Sequence, residues 1–240
     1  MLELRNVTKK YLNHAALSDV SFTLPDGAVC LLLGPNGSGK TTMMKAITGL
    51  AKPTGGQILL DGVPVGVTTK AHVAYMPTEN YFYNYMTVND AGRYYADFFP
   101  DFHKKRFDAL LKDLELLPRD RIRQLSSGMA AKLRLALALS RDAELLMFDE
   151  PLNGVDILTR TQVINAILAG RREGRSMLIS THLVDELEDV VDHVALLKQG
   201  VLMAYGPKEQ VCAGRTLKDL YLDVFGHGEL TALQEGAYND

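Results

Sequence analysis

The sequence predicts an α/β fold with a mixed β-sheet core, an amino-terminal antiparallel β subdomain and an inserted α-helical subdomain. Residues 1–30 alternate apolar and polar positions, which is typical of half-buried strands. From Val88 to about Leu117 the apolar spacing becomes helical, with an interruption at Pro100. Beyond that region, short apolar runs alternate with helix-length stretches, which is the pattern of parallel βαβ units.

The amino-terminal part of the chain predicts strands, one helix and tight turns. A Pro-Asp-Gly turn at residues 25–27 precedes the apolar run at residues 28–33, which predicts a buried strand. A helix over residues 42–50 follows. Residues 55–65 then predict a hairpin with Asp61-Gly62 as its turn.

The loop between this buried strand and the helix fits the phosphate-loop pattern G-x-x-x-x-G-K-[ST]. Its glycines let consecutive backbone N–H groups turn toward a polyphosphate, and the helix start adds partial positive charge. In this interpretation Lys40 meets the β- and γ-phosphates, and the Thr41 hydroxyl holds Mg²⁺. An ordinary glycine-rich loop, the alternative, does not require the flanking strand and helix. The sequence therefore predicts a P-loop NTPase core whose phosphate-binding residues are Gly34, Pro35, Asn36, Gly37, Ser38, Gly39, Lys40, Thr41 and Thr42.

Polar residues follow two later strands, at the edge where ligands of parallel α/β sheets bind. Asp149 and Glu150 follow an apolar run at residues 145–148, and His182 follows the strand predicted at residues 176–180. Asp149 can hold Mg²⁺ while Glu150 faces an attacking water, and His182 can reach a γ-phosphate. Considered singly, paired acids are often a solvated turn, and a single histidine is usually a solvated or capping residue. Their placement after strands of the same predicted sheet favours a catalytic interpretation.

Composition limits the classes of partner. With 26 basic and 29 acidic side chains, the net charge of −3 gives no broad cationic field for nucleic acid or an anionic membrane. The two cysteines, Cys30 and Cys212, show no metal-ligand spacing and no disulfide framework, so we expect a reducing cytosol. No signal-like segment or apolar run of roughly 18 residues is present, so we expect any membrane role to depend on another polypeptide.

These motifs, in this order, resemble those of the ATP-binding subunit of an ABC transporter over nearly the whole chain. Residues 125–129 (Leu-Ser-Ser-Gly-Met) stand where that family has its signature, about two dozen residues before the Asp-Glu pair. Residues 151–156 resemble its D-loop, which ends at Asp156, and His182 resembles its switch histidine. Tyr11 resembles the aromatic side chain that stacks on adenine, although a tyrosine flanked by lysines is also typical of a strand surface.

The resemblance implies an ATPase that converts ATP and water to ADP and phosphate, with ATP and Mg²⁺ as ligands. It assigns Asp149 to the metal, Glu150 to general-base catalysis, His182 to the γ-phosphate, and Ser126, Ser127 and Gly128 to the nucleotide of an opposite protomer. It also implies membrane-spanning partner subunits, pairing with an identical or a paralogous ATP-binding chain, and a location on the inner face of the cell membrane. The short Ser-Ser-Gly-Met signature is similar to that of bacterial ABC-2 type exporters. We therefore expect export, with no role in nucleic-acid binding.

The resemblance also predicts the domain organisation. Residues 1–215 are expected to form the ATP-binding domain, with its helical subdomain inserted at about residues 85–140. Residues 216–240 are expected to form a C-terminal tail. The simpler interpretation of this tail is loose packing, and the alternative is a brace for dimerisation.

The chain departs from the family pattern at several positions. Thr78 stands where the family commonly has Gln, or Glu in close relatives, so either Thr78 acts through water or Glu79 replaces it. Ser127 and Met129 replace the usual glycine and glutamine of the signature. Four aromatic residues follow Thr78: Tyr81, Phe82, Tyr83 and Tyr85. We expect at least half of them to pack in the core of the helical region and the remainder to form a docking surface.

Other functions share part of this pattern. Two alternatives remain. One is a soluble ABC-type ATPase that does not serve transport. The other is an ATP-binding regulatory module with little hydrolysis, which Thr78 favours. A GTPase is disfavoured because no Asn-Lys-x-Asp guanine-reading motif occurs. A small-molecule kinase is disfavoured because it would not need residues 125–129, residues 153–156 and His182 together. The transported substrate is not encoded in these motifs.

Overall fold

Two β-sheets form the framework of the computed structural model, which describes residues 1–226. The strands are β1 (Leu2–Tyr11), β2 (His14–Leu24), β3 (Val29–Leu33), β4 (Gly55–Leu60), β5 (Val63–Pro64), β6 (Val73–Met76), β7 (Leu145–Asp149), β8 (Ser176–Thr181), β9 (His193–Lys198) and β10 (Val201–Pro207). The helices are α1 (Lys40–Ile47), α2 (Val88–Phe98), α3 (Lys104–Asp113), α4 (Ser127–Leu139), α5 (Ile157–Ala169), α6 (Lys208–Cys212) and α7 (Leu217–Phe225). Short 3-10 helices lie at Thr68–His72, Ile122–Gln124 and Glu188–Val190.

The first sheet is antiparallel, with the strand order β2-β1-β4-β5. The predicted hairpin is present, because Leu60 pairs with Val63 across the Asp61-Gly62 turn. The alternation of apolar and polar residues at the start of β1 puts the side chains of Leu2 and Leu4 on the buried face of this sheet. This confirms the predicted amino-terminal antiparallel sheet.

The second sheet has the order β10-β9-β3-β8-β7-β6, and its five strands from β9 to β6 are parallel. Only β10 runs antiparallel, as an edge strand that pairs with β9. The register sets Leu33 opposite Thr181 and Asp149 opposite Ser180. The loop after β3, the acids at the end of β7 and the histidine after β8 therefore emerge at one edge of the sheet, as the sequence predicts.

Apolar side chains fill both faces of this mixed sheet. On one face, α1 and the antiparallel sheet pack over the strands, so that Met43 of α1 and Leu32 of β3 lie in one apolar cluster. On the other face, α4, α5 and α7 pack over residues such as Leu31 and Phe148. A third cluster, centred on Phe107, lies within the inserted helical region. Burial on both faces explains why the parallel strands are almost continuously apolar.

The inserted helical region consists mainly of α2, α3 and α4. Helix α2 begins at Thr87, whose hydroxyl and the carboxylate of Asp90 cap each other's backbone N–H groups. Arg141, two residues after the end of α4, fastens this region to the edge of the mixed sheet. Its buried guanidinium pairs with Asp101 and donates to the carbonyl oxygen of Val73 at 3.0 Å.

The end of the described chain differs from the expectation of a loosely packed tail. Leu217, Leu220 and Phe225 of α7 are buried in the main core, since their spacing places them on one face of the helix. Lys198 also donates to the carbonyl oxygen of Val224 at 2.7 Å. Residues 227–240 of the predicted tail lie outside the described residues. Within residues 1–226, none of the helices has the length and apolar character needed to cross a membrane.

Close packing of α2 against α3 gives a test of this fold. An added Cβ at Gly92 would lie 2.4 Å from the buried ring of Phe107. We expect Gly92→Ala to lower the free energy of unfolding by about 1–3 kcal/mol, the cost of overpacking, although helix propensity favours alanine. Urea denaturation measures this change. Gly66→Ala is the control, because an added Cβ at Gly66 would lie 3.9 Å from its nearest neighbour, the carbonyl oxygen of Pro64. Equal stability of the two variants would contradict the packing described.

Candidate active site

At several positions of the phosphate loop the backbone conformation or its close surroundings favour glycine. Gly37 and Gly39 adopt φ angles of 79° and 107°, in the region that favours glycine. A Cβ at Gly34 would lie 2.3 Å from the carbonyl oxygen of Leu197, and one at Gly39 would lie 2.5 Å from that of Ala16. The close approach of backbone on both sides therefore explains the glycines and forms a narrow cradle.

This cradle offers donors to an anion. Helix α1 begins after Gly39 without a side-chain cap, so its first N–H groups are not taken by a capping side chain. The hydroxyl of Ser38 is buried and has no hydrogen-bond partner among the described residues. Uncapped N–H groups at a helix start together with an unpaired buried hydroxyl fit a polyphosphate.

Lys40 lies between the loop and the strand edge. Its ammonium group donates to the carbonyl oxygens of Gly34 at 2.7 Å and Pro35 at 3.2 Å. The same Nζ atom is 3.1 Å from Oε1 of Glu150, and both side chains are largely buried. The charge of Lys40 is therefore balanced by the acid that follows β7.

Glu150 connects the phosphate loop to the histidine after β8. Its Oε2 atom lies 2.9 Å from Nδ1 of His182. Its backbone has a left-handed φ of 49°, and its N–H donates to the hydroxyl of Ser180 at 3.0 Å and to the carbonyl oxygen of Ser180 at 3.1 Å. These bonds to β8 hold a strained backbone, so the carboxylate reaches both Lys40 and His182.

Asp149 has a different environment from Glu150. It is fully buried, and its carboxylate accepts from the hydroxyls of Ser180 at 2.6 Å and Tyr75 at 3.1 Å. Thr78 donates to the backbone carbonyl oxygen of Asp149 at 3.2 Å. Asp149 therefore lies beneath the surface of the site, held by hydroxyl groups.

A cavity of about 390 Å³ opens over the phosphate loop. Ten of the residues predicted from the sequence line it: Tyr11, Asn36, Gly37, Ser38, Gly39, Lys40, Thr41, Thr42, Thr78 and Glu150. His14, Ala16 and Asn153 complete the lining. Glu79 is exposed and does not line the cavity, so of the two candidates for the usual glutamine it is Thr78 that lies at the site.

Tyr11 and His14 face each other across the turn between β1 and β2. Tyr11 is 46% exposed, and the Lys9 ammonium lies 4.6 Å from its ring centroid. Sequence analysis missed His14, Tyr75 and Ser180. The pairing of His14 with Tyr11 across a short hairpin was a usable indication, whereas Tyr75 and Ser180 reach Asp149 only through strand neighbours that the sequence does not specify.

The predicted signature lies elsewhere in the chain. Ser126 is exposed and caps α4 by accepting from the N–H of Met129 at 3.2 Å. Ser127 donates to the carbonyl oxygen of Gly154 at 2.8 Å, and a Cβ on Gly128 would contact Thr159. None of these signature residues lines the cavity over the phosphate loop of the same chain.

Asp156 likewise has a local structural contact. Its carboxylate caps α5 by accepting from the backbone N–H and the hydroxyl of Thr159, at 2.9 Å and 2.8 Å. These hydrogen bonds hold the pKa of Asp156 below its usual range. Thr159 also lies beside Gly128 of the signature, and Asp156 does not line the cavity over the phosphate loop.

The donor set fits Mg²⁺ that arrives with a nucleotide. Thr41 and Asp149 carry a hydroxyl and a carboxylate, the oxygen ligands that this hard cation prefers. Residues 1–226 contain no group of three or more His, Cys, Asp or Glu side chains able to hold a metal alone. Mg²⁺ commonly takes one or two protein ligands and completes its shell with phosphate and water.

Comparison with known proteins shows close similarity. Residues 17–153 match the family model described as "ABC transporter". The chelated iron transport system membrane protein YfeB of Yersinia pestis is 36% identical over 98% of this chain and 84% of its own length. The SkfA peptide export ATP-binding protein SkfE of Bacillus subtilis (strain 168) is 33% identical over 85% of this chain and 87% of its own. A solved ATP-binding subunit of an ABC transporter superposes with a TM-score of 0.85 at 26% identity, covering 93% of this chain and 98% of that one.

The geometry of the phosphate loop predicts unequal effects at two of its glycines. Gly34→Ala would drive a Cβ into the backbone of β9, so we expect nucleotide affinity to fall at least about 100-fold. Gly37→Ala meets no atom within 4 Å and carries only the cost of a left-handed φ, about 1–2 kcal/mol, so its loss should be about tenfold. Titration with a fluorescent ATP analogue measures both affinities, and circular dichroism checks folding. Equal losses in two folded variants would contradict this geometry.

Proposed function

Because this chain belongs to the ABC transporter family, we propose that it uses Glu150 as general base to hydrolyse ATP and drives export through separate membrane subunits. It is an ATP-binding subunit of that family and an ATPase. The proposal adds to this family assignment the roles of individual residues and the direction of transport.

The contact that carries the proposal is the position of the Glu150 carboxylate between Lys40 and His182. Its two oxygens lie 3.1 Å from Nζ of Lys40 and 2.9 Å from Nδ1 of His182. A general base must lie within hydrogen-bond reach of the water from which it takes a proton. Glu150 lines the cavity over the phosphate loop, so its carboxylate lies beside the space in which we propose that the attacking water binds.

Each remaining group has a proposed task. Lys40 and the loop N–H groups bind the β- and γ-phosphates, and Thr41 and Asp149 hold Mg²⁺. When bound, Mg²⁺ neutralises part of the phosphate charge. Tyr11 provides a ring at the cavity rim for the adenine base, and His182 orients Glu150 and the γ-phosphate. In the structure these groups come from four separate segments of the chain.

A second protomer completes the proposed site. Ser126 and Ser127 are exposed, and they contact their own α4 and the loop at Gly154 rather than the phosphate loop. The start of α4 carries partial positive charge and is exposed to solvent, so it can meet a phosphate bound by another chain. We therefore propose a head-to-tail dimer with two composite sites, formed by identical chains or by this chain and a paralogue.

Exposed aromatic side chains near the helical region support docking to a membrane subunit. Tyr83 and Tyr85 stack with centroids 5.4 Å apart and are exposed, as are Tyr94 and Phe98. Of the four aromatics that follow Thr78, Phe82 is buried in the helical core, whereas Tyr81, Tyr83 and Tyr85 are exposed. The expectation that at least half of them pack in the core is therefore wrong, because their rings lie outside the cluster around Phe107. We propose that this surface holds the chain on the inner face of the cell membrane, on the cytoplasmic side.

The proposed direction of transport is export. It is supported by the similarity to SkfE, whose name describes peptide export, and by the Ser-Ser-Gly-Met signature at residues 126–129. Uptake or efflux assays in cells that lack this chain test the direction. Accumulation of a substrate inside such cells is expected, and loss of uptake would contradict export.

Removal of the proposed base gives the first functional test. We expect Glu150→Gln to lower ATP turnover on the order of 10²–10⁴-fold, as for loss of a general base, while ATP binding is retained. Phosphate release measures turnover, and fluorescence titration measures binding. Glu144→Gln is the matched control, because Glu144 is an exposed acid that pairs with His72 away from the cavity. Unchanged turnover in Glu150→Gln would remove Glu150 from this role.

Pairing in the hydrolysis-blocked variant gives the second test. Light scattering of Glu150→Gln should show a shift from monomer to dimer on addition of ATP and Mg²⁺. An added Ser126→Asp substitution retains capping chemistry but places a carboxylate at the proposed phosphate contact, so it should abolish the shift. Thr216→Asp is the control, since Thr216 caps α7 in the same way. A variant that binds ATP and stays monomeric would contradict self-pairing and indicate a paralogous partner.

A further inference from the structure

Tyr75 joins the edge strand of the mixed sheet to the buried acid of the site. It lies on β6, opposite Met147 of β7, and Asp149 lies two residues further along β7 on the same face. The Tyr75 hydroxyl donates to Oδ2 of Asp149 at 3.1 Å. A residue from a strand that does not border the phosphate loop thereby contacts the carboxylate proposed to hold Mg²⁺.

The Asp149 carboxylate receives one hydroxyl donor on each oxygen. Oδ1 accepts from Ser180, whose oxygen in turn accepts the N–H of Glu150 at 3.0 Å. Oδ2 accepts from Tyr75. Both donors are neutral, and none of the ion pairs among the described residues includes Asp149. The carboxylate is therefore oriented by hydrogen bonds while its negative charge stays available to a cation.

The Tyr75 hydroxyl remains a donor at neutral pH. Burial of the ring raises the pKa of Tyr75, and the negative charges of Asp149 and Glu79 raise it further. Loss of this donor would leave one oxygen of a fully buried carboxylate without its hydrogen bond, which costs more than the bond itself contributes.

We propose that Tyr75 is a positioning residue for Mg²⁺, which acts by fixing the orientation of the Asp149 carboxylate. The inference rests on the proposed function, because it assigns Tyr75 a task toward the metal that Asp149 is proposed to hold. Groups that orient a metal ligand typically change metal affinity 10–100-fold when they are removed. Tyr75 differs from Ser180 because it contacts Asp149 only, whereas Ser180 also accepts the backbone N–H of Glu150.

Tyr75→Phe tests the proposal without removing the ring. The ring lines a cavity of about 170 Å³ with Val73, Tyr95 and Phe99, and phenylalanine fills the same volume. Tyr205→Phe is the matched control, because it removes another partly buried hydroxyl, one that donates to the backbone of Thr23 far from Asp149. Thermal unfolding of both variants verifies that they are folded.

The direct readout is the affinity for Mn²⁺, used in place of Mg²⁺ and followed by electron paramagnetic resonance with a non-hydrolysable ATP analogue bound. We expect Tyr75→Phe to weaken Mn²⁺ binding by about 10–100-fold, with unchanged affinity for the analogue in the absence of metal. Tyr205→Phe should bind Mn²⁺ as the unmodified protein does. Unchanged Mn²⁺ affinity in folded Tyr75→Phe overturns the proposal.

Turnover separates a metal-positioning role from other roles. Raising Mg²⁺ should restore the ATPase rate of Tyr75→Phe, because weaker metal binding is overcome by concentration. Glu150→Gln should not be restored by Mg²⁺. If the Tyr75→Phe rate stays low at saturating Mg²⁺, or if affinity for the metal-free analogue also falls, Tyr75 has a general structural role and the proposal is wrong. If the unmodified protein neither binds Mn²⁺ with the analogue nor hydrolyses ATP, the proposed function itself fails.

Discussion

The parallel register of β3, β7 and β8 is the constraint on which the whole site depends. Leu33 lies opposite Thr181 and Asp149 opposite Ser180, so all three strands end at one level. Side chains that are distant in sequence then meet directly, as the Glu150 carboxylate does with Lys40. Apolar packing on both faces of the sheet maintains this register, because a slip of one residue would turn every side chain to the opposite face.

Two adjacent acids acquire different environments from this arrangement. Asp149 is fully buried and held by the neutral hydroxyls of Ser180 and Tyr75. Glu150 faces the cavity between the nitrogen atoms of Lys40 and His182, and the buried Lys40 would lack a counter-charge without it. Neighbouring carboxylates in one site can perform different chemical roles when their environments differ in this way. This division supports a metal ligand in Asp149 and a proton acceptor in Glu150.

The helical region has a different relation to the site. Arg141 fastens it to the sheet edge through Asp101 and the backbone of β6. The Ser126 cap at its α4 helix lies away from the chain's own phosphate loop. One polypeptide thus carries two parts of a proposed composite site that do not meet within it. Pairing of two chains would join them.

The sequence by itself determined the α/β class, the phosphate loop, the acids at the end of β7 and the histidine after β8. Short-range patterns suffice there, because a glycine-rich turn between strand and helix depends on neighbouring residues alone. Only the tertiary structure decided that Thr78 rather than Glu79 lines the cavity, that α7 packs on the core, and that Tyr75 reaches Asp149. The physical reason is that strand order and helix docking bring these groups together across long sequence separations, and local periodicity does not encode which strands become neighbours.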